Sequence, residues 1–152
     1  MKLNSKILVA LCVCVVAAVA VGVVAAQDAT LSDGTTFTIP EGFTLQEDDD
    51  SGATVLLKDD LAVLVLASDA KSPEEGKKSL ESKGYTFKSQ KDISDFDGDV
   101  VEQSYEKDGM PVYGYICEVG GSSYIVVAAN APSDWDVSSG DNPVNIIIKS
   151  LS

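Results

Sequence analysis

Every residue from Leu61 to Ala67 is apolar, and Lys58-Asp59-Asp60 separates this run from a second one, Ala53 to Leu57. Two short apolar runs across an acidic break predict an antiparallel hairpin. Successive side chains of a strand point to opposite faces, so a strand apolar at consecutive positions needs cover on both sides. Leu61 to Ala67 is therefore expected at the centre of a sheet with further layers packed against it.

The remaining patterns fit around that strand. Thr35-Thr36-Phe37-Thr38-Ile39 alternates, Pro40-Glu41-Gly42 punctuates it, and Phe43-Thr44-Leu45 resumes the alternation. The acidic Glu47-Asp48-Asp49-Asp50 with Ser51-Gly52 reads as a solvated turn. Ser72-Pro73-Glu74-Glu75 supplies a helix N-cap, a Pro at the first helical position and a capping-box Glu. Lys77, Lys78 and Lys83 then complement the helix dipole, and Gly84 stops the helix. Tyr85 to Lys88, Val100 to Glu106, Val112 to Val119 and Tyr124 to Asn130 read as strands. Lys107-Asp108-Gly109-Met110 and Gly120-Gly121 are their turns. Asn142-Pro143 opens a terminal helix or strand ending at Leu151. The order predicts an α+β fold, a largely antiparallel sheet of six or seven strands with one or two helices packed on it.

Residues 1–26 stand apart. Lys2 and Lys6 precede an uncharged run from Ile7 to Ala26, and small residues at Val24 and Ala26 suit cleavage before Gln27. Twenty apolar residues would also span a hydrocarbon core of about 30 Å. We therefore expect export, with residues 1–26 a signal peptide or membrane anchor, 27–34 a linker, and 35–152 a single domain, extracytoplasmic and either secreted or anchored. If the run is retained, Lys2 and Lys6 stay in the cytoplasm. Cys12 and Cys14 lie inside the run and follow no lipobox, which leaves Cys117 as the one thiol of the body.

Composition narrows the chemistry. The chain has 152 residues and a net charge of -13, no His and, among its 11 basic residues, no Arg. This excludes His-dependent nucleophile pairs, His metal sites and guanidinium clamps. After removal of residues 1–26, nine Lys face 24 acidic residues, a net charge of -15. Such a body repels nucleic acid and anionic lipid.

Phe37-Thr38-Ile39-Pro40-Glu41-Gly42-Phe43 resembles the F-x-I-P-x-G-aromatic opening of the PsbP/Mog1-like superfamily. Tyr124 to Val127, Asp134-Trp135 and Ile147 to Ser150 are similar to that family's last sheet strand, aromatic-containing loop and terminal element. The resemblance covers roughly residues 35–152. It implies a mostly non-catalytic accessory or binding protein, and it carries over no functional residue.

Four sites follow from the residues. Asp95-x-Asp97-Gly98-Asp99 has the Gly of an EF-hand loop, but that register puts Ile93 and Ser104 where carboxylates belong, so the EF-hand fails. A looser Ca²⁺ site of Asp95, Asp97 and Asp99, with Asp92, is the metal alternative; a solvated acidic turn is the plainer one. Ser68-Asp69-Ala70-Lys71 matches Ser-x-x-Lys, but Ser72 caps the helix and leaves the tetrad in the loop before it. A Ser-Lys or carboxylate hydrolase is thus a second alternative, and the chain is read as a non-enzyme. Cys117, in an apolar strand, reads as a buried structural thiol. Tyr105, Tyr124 and Trp135 are the candidate face for a cell-surface or membrane partner, against the plainer reading of core packing. Alternation places Tyr113, Tyr115 and Cys117 on one face of their strand.

Overall fold

The structure, a computed structural model, describes residues 27–48, 53–68 and 73–152. Among the described residues, nine strands and two helices run in the order β1 (Asp28–Thr30), β2 (Thr36–Thr38), β3 (Thr44–Asp48), β4 (Ala53–Lys58), β5 (Leu61–Ser68), α1 (Pro73–Glu81), β6 (Thr86–Ile93), β7 (Val100–Lys107), β8 (Met110–Val119), β9 (Ser122–Ala129) and α2 (Pro143–Ser150). Seven strands form one antiparallel sheet in the order β3-β4-β5-β9-β8-β7-β6, and β1 pairs with β2 in a separate two-stranded sheet. The fold is α+β. The signal or anchor run, the Asp49–Gly52 turn, the Ser72 cap and most of the Ser-x-x-Lys tetrad lie outside the described residues.

Two meanders make the large sheet, β3-β4-β5 and β6-β7-β8-β9, and the β5–β9 ladder joins them from Ala62↔Ala129 to Ser68↔Ser123. Ala62 to Leu66 are all at most 3% exposed, as a central strand requires. Tight turns close the hairpins by adopting positive φ: Asp108 (53°) with Gly109 (78°), and Gly120 (58°) with Gly121 (83°). Both positions of each turn are left-handed, which matches the twist of the flanking strands.

Helix α1 ends as its sequence predicts. Gly84, at φ +90°, donates its amide to Glu81, and Tyr85 donates back to Leu80. This is a Schellman stop, closed by contact of Leu80 and Tyr85 in one apolar layer. The terminal segment resolves to a helix because Asn142 caps it: its side chain accepts from Val144 N at 2.9 Å and Asn145 N at 3.3 Å, ahead of Pro143.

The stretch 27–34, read as a linker, is instead structural. Residues Asp28–Thr30 form β1, and Ala29 and Leu31 are buried beside Phe37 and Ile39. Three residues with one apolar side chain carry too little alternation to mark a strand; pairing with β2 supplies what the pattern lacks. The chain's last residues hold this hairpin down. Thr36 and Ser152 exchange backbone hydrogen bonds at 3.0 and 3.1 Å, and Ser150 Oγ accepts from Thr38 N. Helix α2 and the β1–β2 hairpin thus cover one face of the sheet, over Leu56, Val63, Val65, Tyr115 and Val126. Helix α1 lies on the other face.

Gly98 stands in the β6–β7 turn because a Cβ there would meet the Glu118 carbonyl oxygen at 1.9 Å, next to the Glu118 N–H to Asp99 carbonyl bond. Backbone cannot yield as a flexible side chain can. Gly98→Ala is expected to destabilise the fold by ~1–3 kcal/mol, measured as a shift in the denaturant midpoint without a change in slope.

Candidate functional site

The sheet register places Lys91, Glu102 and Tyr115 in one cross-strand row, on β6, β7 and β8. Lys91 Nζ lies 3.6 Å from Glu102 Oε1, and the Tyr115 hydroxyl donates to Glu102 Oε2 at 2.6 Å. Tyr115 also accepts from Trp135 Nε1 at 2.7 Å. The side chain of Glu102 is only 9% exposed, whereas that of Lys91 is 67% exposed. A carboxylate this buried is held by charge-assisted partners on both oxygens. Trp135 in turn stacks on Tyr113, with ring centroids 6.0 Å apart and planes 20° from parallel. Both rings of the stack are half-buried.

The loop from Ala131 to Asp141 presents Trp135, and three bonds shape it. Trp135 N bonds the Pro132 carbonyl, buried Asn145 donates to the Val137 carbonyl at 2.8 Å, and Ser138 Oγ reaches Asp95 at 2.5 Å. The indole is therefore set between helix α2 and the β6–β7 turn. It stands at the edge of the α2-side layer.

Of the predicted aromatic face, Trp135 alone is partly exposed. Tyr105 is buried in the α1-side layer, donating to Gln103 Oε1 at 2.7 Å and meeting Phe87 edge-on. Tyr124 is buried in the α2-side layer, with its hydroxyl 2.8 Å from Thr35 Oγ1. Because the two lie in opposite layers, the three rings form no common surface; Tyr113 takes their place beside Trp135.

The acidic loop is similarly divided. Asp97 and Asp99, with Asp92 and Glu118, line a cavity of about 600 Å³ at the β6–β7 turn. Asp95 is engaged by Ser138, and Phe96 packs towards the core with Lys149 Nζ 5.9 Å from its ring centroid. Among the described residues no three Asp, Glu, Cys or His form a group that could hold a metal ion. A second cavity, about 890 Å³, lies at the Pro40-Glu41-Gly42-Phe43 bend, between Phe43, Lys58, Leu61, Pro143 and Ile146. Gly42 (φ +87°) turns the chain there, with Lys58 closing over the Phe43 ring.

Cys117 is fully buried, and desolvation raises its thiol to about 12. The Tyr115 phenol is also pushed far up, first by desolvation and then by its bond to Glu102. Ser68 closes β5, and Asp69 to Lys71 lie outside the described residues.

No family model matches the chain, and no curated protein does. Among solved structures it is similar to "Protein of Unknown Function PA94" from Pseudomonas aeruginosa, at 13% identity and a TM-score of 0.34, over 60% of this chain and 85% of that one. A likeness that slight assigns neither family nor function.

Tyr115→Phe strips one oxygen of buried Glu102 and the Trp135 donor of their shared partner, so a loss of ~1–3 kcal/mol is expected by denaturant unfolding. Trp135→Phe leaves the Glu102–Tyr115 bond intact and should cost less. Alkaline pH should act through Cys117. Folding favours its neutral form, so no penalty arises below its ordinary value of 9.0, and stability falls as pH rises from there towards about 12. Cys117→Ala should flatten a stability-against-pH curve between about pH 9 and 10, above which the raised phenols of Tyr105 and Tyr115 contribute a fall of the same sign.

Proposed function

We propose that this chain is a non-catalytic accessory or binding domain, exported and either released or tethered through residues 7–26, that docks a protein partner at the Trp135–Tyr113 edge. The observation that carries the reading is the pinned indole. Trp135 is half-buried, stacked on Tyr113 and hydrogen-bonded to Tyr115, which is itself anchored on Glu102. A large aromatic surface already fixed in orientation loses little conformational entropy on association, which is what an interface anchor needs. Lys91, 67% exposed and paired with Glu102, offers a charged contact for the rim of such an interface. The resemblance to the PsbP/Mog1-like superfamily points to the same kind of role.

The runner-up, a Ca²⁺-dependent binding domain centred on Asp95, Asp97 and Asp99, has Asp97 and Asp99 lining one cavity but no metal-holding group of three carboxylates among the described residues. One experiment separates the two. The tagged body is used to capture partners from solubilised native membranes, with and without chelator, beside Trp135→Ala and Asp97→Asn. A partner lost with Trp135→Ala and indifferent to chelator is the expected result. Loss with chelator and with Asp97→Asn would transfer the site to the acidic cavity, and capture unchanged by Trp135→Ala would overturn the aromatic edge.

A further inference from the structure

The larger cavity, about 890 Å³, has the size of a small-molecule site. Three chain reversals build it. At the first, the Pro40 carbonyl accepts from Phe43 N at 3.2 Å while Gly42, at φ +87°, turns the chain. The second is the β4–β5 turn of Asp59-Asp60, with Asp59 at φ 53°. The third follows β9, where Asn130 has φ 63°. Asn130 donates its backbone N–H to the Pro111 carbonyl at 2.8 Å and its side-chain amide to the Asp60 carbonyl at 3.1 Å. It thereby ties the second reversal to the third and fixes a wall of the cavity. Asp and Asn suit these left-handed positions because their short polar side chains bond locally.

Phe43, Leu61, Ala131 and Ile146 supply apolar walls, and exposed Glu41, Asp59, Asp60 and Asp141 add four carboxylates. Lys58 is the one basic residue in this lining, and its side chain shows what the cavity receives. Its stem crosses Gly42, where a Cβ would come within 3.1 Å of Cε and 3.2 Å of Nζ. The ammonium ends 5.8 Å from the Phe43 ring centroid, within reach of a cation–π contact. Among the described residues Lys58 forms no ion pair, so the carboxylates beside it stay unneutralised. An anion finds no comparable seat. Pro143 opens α2 at the cavity without an N–H, and Asn142 already takes the amides of Val144 and Asn145. The chain's net charge of -13 repels anions as well and draws cations in.

We propose that this cavity binds a small organic cation, an alkyl- or arylammonium. Its apolar body lies between Phe43, Leu61 and Ile146, and its charge takes the place of Lys58 over the Phe43 ring. Lys58 is then a tethered competitor that swings out when the ligand enters. The site goes beyond the partner edge: neither Trp135 nor Tyr113 lines it, so the capture experiment and this one fail separately.

The test titrates the full chain with phenethylamine and with two probes of similar shape, neutral phenethyl alcohol and anionic hydrocinnamate. Methyl NMR shifts of Leu61, Ala131 and Ile146 report where each probe binds. Phenethylamine is expected to shift all three saturably, at least about tenfold more tightly than the alcohol, with no saturable shift from hydrocinnamate. Lys58→Met should tighten the amine about fivefold, and Asp59→Asn with Asp60→Asn should weaken it by a similar factor, the scale of a nearby exposed charge. All three side chains are exposed and Asn keeps the left-handed position, so these variants leave the fold intact. Equal affinity for amine and alcohol would overturn the proposal, since the cavity would then read shape without charge. Preference for hydrocinnamate, lost in Lys58→Met, would make Lys58 an anion receptor and overturn it too. Amine affinity that does not rise in Lys58→Met, or no saturable shift from any probe, has the same consequence.

Discussion

The β5–β9 ladder is the contact on which everything else in this domain depends. It pairs strands separated in sequence by α1 and the whole β6-β7-β8 meander, so no local turn brings them together. Closing so large a loop costs entropy before any contact repays it. Repayment comes from burial. Ala62 to Leu66 and Ile125 to Ala129 line up with side chains on both faces, and at about 25 cal/mol per Å² each fully buried aliphatic residue returns roughly 1.5–3 kcal/mol. The ladder thereby sets both apolar layers at once, and it decides which meander residues lie at the centre and which at the edges.

The polar row depends on that placement. Lys91, Glu102 and Tyr115 are neighbours only because β6, β7 and β8 follow in register from β9 outward. Towards β9 and β5 the same row continues as Val126 and Val65, both fully buried. Glu102 marks the point where the α2-side layer changes from dry to wet. Trp135 closes that boundary, with its ring on Tyr113 and its N–H on the Tyr115 hydroxyl. A row that holds a carboxylate in place also holds the aromatic surface above it, which links the packing to the binding role proposed for that edge.

Local patterns were informative where they carried their own turn chemistry. Asp108-Gly109 and Gly120-Gly121 are hairpin turns because both central residues must adopt positive φ. Gly84 stops α1 for a related reason, and Asn142-Pro143 marks the start of α2 once the cap bonds are seen. Short elements were not legible. Strand β1 has one inward side chain and draws its order from β2, while the β1–β2 hairpin is tied in turn to the carboxyl terminus through Thr36 and Ser152. The candidate site was legible only in part. Trp135 announces itself by composition, but Tyr105 and Tyr124, equally conspicuous in the sequence, are buried in opposite layers. Glu102 gives little signal, since a single acid within an alternating strand looks the same whether it faces water or a tyrosine.

By itself, the sequence determined the α+β class, the central place of Leu61 to Ala67, the hairpins and the Gly84 stop of α1. Those follow from side-chain period and from backbone angles that few residues tolerate, and both are properties of neighbours along the chain. It also determined the chemistry at hand: no imidazole, no guanidinium and an excess of carboxylates. Only the tertiary structure decided which aromatic residues share a layer, that Glu102 has Tyr115 and Lys91 as partners, and that Gly98 exists for the Glu118 backbone. These depend on pairing between segments far apart in the chain. Period assigns a residue to one face or the other, but register alone says which residues meet there.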